Sequence, residues 1–165
     1  MKEVLNTIVI KPSIPFETFS NKENDYRFKM IYLLDKVITD TNMDEVMTFL
    51  DKWCQQRECD KYTILKHEKE AIREAVDHFD EIGLSGISVN PRGEIGAIAI
   101  FEKLNPTTAV VHYEKGLPDC DGIYKEVNLQ TAFSLRDQYT YINRESDMGI
   151  PGLRESKERY HPHHM

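Results

Sequence analysis

The stretch from residue 86 to residue 114 limits the fold more than any other part of the chain. Three short runs rich in β-branched and apolar residues, at 86–89, 94–101 and 108–114, are separated by Asn90-Pro91-Arg92-Gly93 and by Leu104-Asn105-Pro106-Thr107. Proline fixes its own φ and carries no N–H, while Asn and Gly tolerate the backbone angles of tight turns, so both separators read as turns between extended runs. Runs joined this closely pair as antiparallel neighbours, because a parallel crossover needs a much longer connection. A three-stranded antiparallel meander is therefore the frame around which the rest must pack.

Helical signals flank it. Thr41 or Asn42 can cap a helix, accepting from first-turn N–H groups that have no partner within the helix, and Asp44 and Glu45 suit the positive end of its dipole. Val46, Phe49, Leu50, Trp53 and Cys54 then recur at i, i+3, i+4, i+7 and i+8, one apolar stripe. A second helix is expected over 65–82, with Ile72, Ala75, Val76, Phe79 and Ile82 facing inward and Gly83 ending it in a left-handed cap. Downstream of the meander, Asp119-Cys120-Asp121 precedes a helix over 122–136 with Ile123, Val127 and Phe133 among its buried positions. A short strand at 139–143 and a final helix at 152–160 follow. The first 40 residues are harder to read. Residues 7–10 are β-prone and stopped by Pro12 and Pro15, and Phe28, Ile31, Tyr32, Leu34 and Asp35 suggest a helix with one apolar side.

The order is helix, helix, three antiparallel strands, helix, strand, helix. A strand–helix–strand step after a meander implies an α/β (α+β) fold with a mixed, mostly antiparallel sheet and helices on both faces. Residues 1–40 read as an N-terminal extension and residues 41–162 as one domain, which 165 residues suffice to build.

Composition narrows the function. No apolar run is long enough to span a bilayer and the N-terminus lacks a signal-peptide layout, so a cytoplasmic location is expected. The formal net charge of −7 disfavours nucleic acid, tRNA included, and anionic lipid as partners. Three cysteines make no disulfide framework. Cys54 and Cys59 are expected to be reduced and structural, with no Cys or His pair at zinc spacing beside them, and no metal site is expected. His161, His163 and His164 sit in the C-terminal tail and receive no role.

One long motif goes further. Tyr141-Ile142-Asn143-Arg144-Glu145-Ser146-Asp147-Met148-Gly149-Ile150-Pro151-Gly152-Leu153-Arg154, continuing through Lys157 to Tyr160-His161-Pro162, resembles the closing motif of the phosphatidylglycerol lysyltransferase C-terminal family. Val111-His112-Tyr113-Glu114-Lys115 with Gly122, Tyr124 and Asn128 is similar to that family, as is Leu50-Asp51-Lys52-Trp53-Cys54 with Cys59. The resemblance implies a GNAT-like (acetyltransferase-type) fold, and transfer of an acyl or aminoacyl group from acyl-CoA or aminoacyl-tRNA. The acceptor would be a small molecule or lipid head group. It also implies a pair of such lobes with the reaction site where they meet. This chain resembles the second lobe, so a homodimer or a partner lobe is expected.

The candidate site follows from these stretches. Strand periodicity places Val110, His112 and Glu114 on one face, where His112 or Glu114 could serve as general base or simply form a hydrogen-bonded pair. Lys115 and Asn128 join them as substrate-binding candidates through the resemblance. In the closing motif Arg144, Glu145 and Asp147 follow a strand end, and Arg154 and Lys157 lie three apart on one helical face. They are candidates to hold a phosphate or carboxylate, the alternative being an internal salt-bridge network that fixes the last helix. An acyl-CoA pyrophosphate needs a cradle of N–H groups, usually Gln/Arg-x-x-Gly-x-Gly/Ala. The stretch 115–122 carries Asp119 and Asp121 instead, which oppose a pyrophosphate and suit helix capping.

Overall fold

A computed structural model describes residues 7, 8, 33–91 and 93–162 of the chain. Six strands form one sheet in the order β1-β6-β5-β4-β3-β2: β1 Thr7–Ile8, β2 Leu33–Val37, β3 Ser85–Pro91, β4 Ala97–Asn105, β5 Thr108–Gly116 and β6 Tyr141–Asn143. Among the described residues four α-helices accompany them, α1 Met43–Gln56, α2 Thr63–Asp77, α3 Ile123–Leu135 and α4 Pro151–Glu158, with short 3-10 helices at Asp40–Asn42 and Cys59–Lys61. The expected meander is β3, β4 and β5, but β4 is shifted from 94–101 to Ala97–Asn105, and Asn90, Pro91, Leu104 and Asn105, expected in turns, belong to strands. The sheet is mixed because β5 and β6 are parallel, while β1–β6 and β2–β3 are antiparallel. β4 is buried at successive positions from Ala97 to Phe101, so both its faces are covered.

The chain divides into two compact units. One comprises Glu23–Ile100 and Tyr113–Thr131. Its core unites Val46, Phe49, Leu50 and Trp53 of α1 with Ile72 and Val76 of α2, against Ile98 and Ile100 of β4 and Leu117. The α1 stripe read from the sequence is the stripe that is buried. Val46 and Leu50 are wholly inaccessible, and burying such side chains contributes about 1.5–3 kcal/mol each. The other unit comprises Met1–Lys22, Phe101–His112 and Ala132–Met165, and holds β1, β6, α4 and the adjoining parts of β4 and β5.

Several local expectations are corrected. Residues 33–35, read as part of a helix, belong to β2, which pairs with β3 from Leu33↔Pro91 to Val37↔Ile87; backbone pairing with a neighbouring strand overrides the local apolar pattern. Residues 28–32 and 9–10 lie outside the described residues. α2 ends at Asp77, so Ile82 is 52% exposed rather than inward, although Gly83 does take a left-handed φ of +70°. Phe133 on α3 is exposed, its ring lying 5.3 Å from the Arg136 guanidinium. Asn42 occupies the cap of α1 but bonds backwards: its Nδ2 donates to the Val37 carbonyl at 2.8 Å and its Oδ1 accepts from the Thr39 N–H at 2.9 Å. Cys54 and Cys59 are joined by a disulfide, contrary to the reduced state expected, because the left-handed Glu58 (φ +52°) folds the chain back and brings their Cα atoms to 5.1 Å. Among the described residues no helix is long and apolar enough to cross a membrane.

Candidate active site

The parallel register of β5 and β6 positions the principal cluster. Thr108 lies opposite Tyr141 and Val110 opposite Asn143. Two residues further along both segments come His112 and Glu145, and the His112 Nδ1 lies 2.7 Å from Glu145 Oε1. The other ring nitrogen, Nε2, lies 2.9 Å from Glu102 Oε1 on β4. Two ionised carboxylates can only accept, so this arrangement favours the charged ring, in which both nitrogens donate. Partial burial of His112 opposes that charge more than any single partner favours it. The hydrogen bonds from Glu102 and Glu145, with their negative charges, together outweigh it, and the His112 pKa is raised above its ordinary value. The three side chains are 29%, 37% and 47% exposed, so solvent or a ligand can reach them. If either carboxylate gave way to a substrate, the ring could accept or return a proton there while the other held its orientation.

The segment after β6 is shaped by its own side chains. Asn143 is 2% exposed, and its Oδ1 accepts from the Glu145 N–H at 2.8 Å. Glu145 takes a left-handed φ of +54°, uncommon for a residue with a Cβ. From α4, Lys157 Nζ donates to three successive carbonyls, of Arg144 at 2.6 Å, Glu145 at 2.9 Å and Ser146 at 3.0 Å. One helical turn earlier, Arg154 Nε donates to Asp147 Oδ2 at 2.7 Å, while Asp147 Oδ1 accepts from the Gly149 N–H at 2.9 Å. The Arg154 hydrogen bond and then the Gly149 N–H hold the Asp147 carboxyl below its ordinary pKa. The Arg144 guanidinium lies 5.3 Å from the centre of the Tyr160 ring.

A second cluster stands in the unit built around α1 and α2. Lys115, only 13% exposed at its side chain, donates to Glu68 Oε1 at 2.6 Å and lies 5.0 Å from the Trp53 ring centre. Glu114 accepts from Asn128 Nδ2 at 3.4 Å. In the loop between β5 and α3, the N–H groups of Leu117, Cys120 and Ile123 donate to the carbonyls of Gly96, Leu117 and Cys120, and Asp119 accepts from Gln56 at 3.2 Å.

The structure thus gathers His112, Glu145, Arg144, Asp147, Arg154 and Lys157 into one unit, and Glu114, Lys115 and Asn128 into the other. The two ring hydrogen bonds of His112 go to Glu102 and Glu145, where the sequence had suggested a partnership with Glu114. Arg154 and Lys157 share a helical face as expected. Sequence reasoning missed Glu102 and Glu68. Glu102 was within reach, since a short turn after β4 leads into β5, its neighbour in the sheet and the strand that carries His112. Glu68 lies 47 residues from Lys115 and left no local signal.

Comparison with known proteins follows the same lines. A family model described as phosphatidylglycerol lysyltransferase, C-terminal, matches residues 21–165. A conserved protein of unknown function from Bacteroides thetaiotaomicron is similar at 30% identity with a TM-score of 0.83, over 98% of this chain and 57% of its own. The C-terminal domain (DUF2156) of a putative lysylphosphatidylglycerol synthetase from Agrobacterium fabrum is similar at 15% identity and a TM-score of 0.63, again over 98% and 57%. A ribosomal-protein-alanine N-acetyltransferase from Brucella melitensis shares the fold at 14% identity and a TM-score of 0.57, over 77% of this chain and 89% of its own. The chain therefore spans 57% of the length of the first two. No curated protein matches it. With its GNAT-like sheet and a family match over most of its length, the chain belongs to the phosphatidylglycerol lysyltransferase C-terminal family.

Proposed function

We propose that this chain is a GNAT-like transferase domain that moves an acyl or aminoacyl group onto an amine or hydroxyl acceptor, a small molecule or a lipid head group. The observation that carries the reading is His112 held between Glu102 and Glu145 on a partly exposed part of the sheet. In the proposed step an acceptor displaces Glu102 from Nε2, the Nε2 proton passes to water, and the neutral ring, keeping its Nδ1 proton bonded to Glu145, becomes the base. The acceptor attacks the donor carbonyl, a new N–C or O–C bond forms and its proton passes to Nε2. The bond to the leaving thiol or ribose oxygen then breaks, and the ring returns the proton to that group. Glu114, steadied by Asn128, is the alternative base. Arg144, stacked on the Tyr160 ring, is proposed to meet the negative part of a substrate beside His112, and Lys115, beside the Trp53 ring, to do so where Glu114 is the base.

In this reading residues 41–162 form the transferase domain, and residues 1–40 extend it through the edge strands β1 and β2. The location is cytoplasmic, where acyl-CoA and charged tRNA are made. A second copy or a partner lobe completes the site. A second reading, a non-catalytic or partner-dependent lobe, is favoured by one observation: Arg154, Asp147 and Lys157 bond to the chain's own groups. A thermal-shift screen with acyl-CoAs and non-hydrolysable aminoacyl-adenosine mimics tests the donor side. Stabilisation by one donor class, weakened in His112→Asn, supports transfer; no stabilisation by either class favours the second reading.

A further inference from the structure

Lys157 stands out because a single ammonium collects three consecutive backbone carbonyls, at 2.6, 2.9 and 3.0 Å. Carbonyls of an extended chain point alternately to opposite sides, so three in a row converge only where the chain turns sharply. The turn here is made by Glu145 in its left-handed conformation. Converging carbonyl oxygens repel one another unless a cation sits at their focus. An ammonium supplies three donors, one for each carbonyl. From the other side of the same residue, Asn143 Oδ1 holds the Glu145 N–H at 2.8 Å. Lys157 and Asn143 between them fix the backbone on both sides of Glu145, whose carboxylate reaches His112 at 2.7 Å.

We propose that Lys157 is a positioning residue for His112: by gathering the carbonyls of residues 144–146 it imposes the turn that delivers the Glu145 carboxylate to the ring. The sequence suggested Lys157 as a ligand-binding cation; the geometry assigns it to the protein's own backbone. The proposal does not rest on the transferase reading and stands for a binding lobe equally. Two anionic groups hydrogen-bond the ring, Glu102 from β4 and Glu145 from the segment after β6, and Lys157 reaches it only through the latter.

The test is the titration of His112, followed by NMR in protein labelled at histidine and assigned with His112→Asn. Glu145→Gln should lower the His112 midpoint. Lys157→Met should lower it by a similar amount, although it changes no group that touches the ring. The double variant should lower it little further, because both act on one contact. An unchanged His112 midpoint in Lys157→Met, alongside a lowered melting temperature, would show a merely structural lysine and overturn the proposal. If Lys157→Met does not fold, the wild-type chain still decides. The Lys157 ammonium protons should exchange slowly with water and their shifts should move as His112 titrates. Fast exchange typical of exposed lysines would sink it.

Discussion

The same substitution at two glycines should have opposite signs. Gly116 ends β5, and a Cβ placed there would lie 2.8 Å from Ile123 Cγ2 and 3.2 and 3.3 Å from Tyr124 ring atoms. Carbon atoms in good contact lie about 3.5–4.0 Å apart, so the start of α3 must retreat by about an ångström to admit the methyl group. Overpacking of this kind costs about 1–3 kcal/mol. For a chain of this size each kcal/mol moves the melting temperature by about 2–4 °C, so Gly116→Ala should lower it by about 2–12 °C. Gly152 lies within α4, where a Cβ would meet nothing within 4 Å and the backbone is not left-handed. There the loss of glycine's unfolded-state freedom dominates, and Gly152→Ala should stabilise by up to about 1 kcal/mol. Melting followed by circular dichroism reads both variants. A Gly116→Ala protein as stable as the wild type would refute the close approach of α3 to β5.

Three further outcomes follow from the charged groups and the loop. The raised His112 pKa means that its contribution to stability is fully present below about pH 6.5, the unfolded value, and is lost as pH rises through the folded value. The stability gap between wild type and His112→Asn should therefore be wider at about pH 6 than at about pH 9. The lowered Asp147 pKa acts in the other direction: its contribution is present above about pH 3.8 and is lost as pH falls through the folded value, so Asp147→Asn should flatten the acid limb of the stability curve. Acetyl-CoA should bind weakly, because Asp119 and Asp121 oppose a pyrophosphate and the loop amides of Leu117, Cys120 and Ile123 already donate within the chain. Calorimetry showing low-micromolar binding would contradict that.

The sequence showed most clearly those features whose causes are local. The Pro- and Gly-containing separators announced the meander, although Asn90, Pro91 and Asn105 proved to be strand residues, and the stripe Val46, Phe49, Leu50, Trp53, Cys54 announced α1 with its buried face. β2 was misread because its partner is fifty or more residues away, and Leu33-Leu34-Asp35 alone gives no strand alternation. The Cys54–Cys59 bridge depends on the left-handed Glu58, which spacing alone does not disclose. In the site, motif residues were found but their partners were not. Glu102 comes to His112 by strand pairing, and the carbonyls around Lys157 belong to no side chain, so no residue pattern marks them. Arg154 and Asp147 were expected to converge and do, since both lie in one short segment closed by a helix.

The claim that this domain transfers an acyl or aminoacyl group is tested most directly by looking for the product. The full chain is incubated with isotope-labelled aminoacyl-tRNA or acyl-CoA and with phosphatidylglycerol vesicles or small amine acceptors, and products are identified by mass spectrometry. The account predicts labelled product from one donor class with the wild type and a loss of about 10²–10⁴-fold in rate with His112→Asn, the usual contribution of a general base. Labelled product formed equally well by His112→Asn, or none from any pair while a donor still binds, would contradict it.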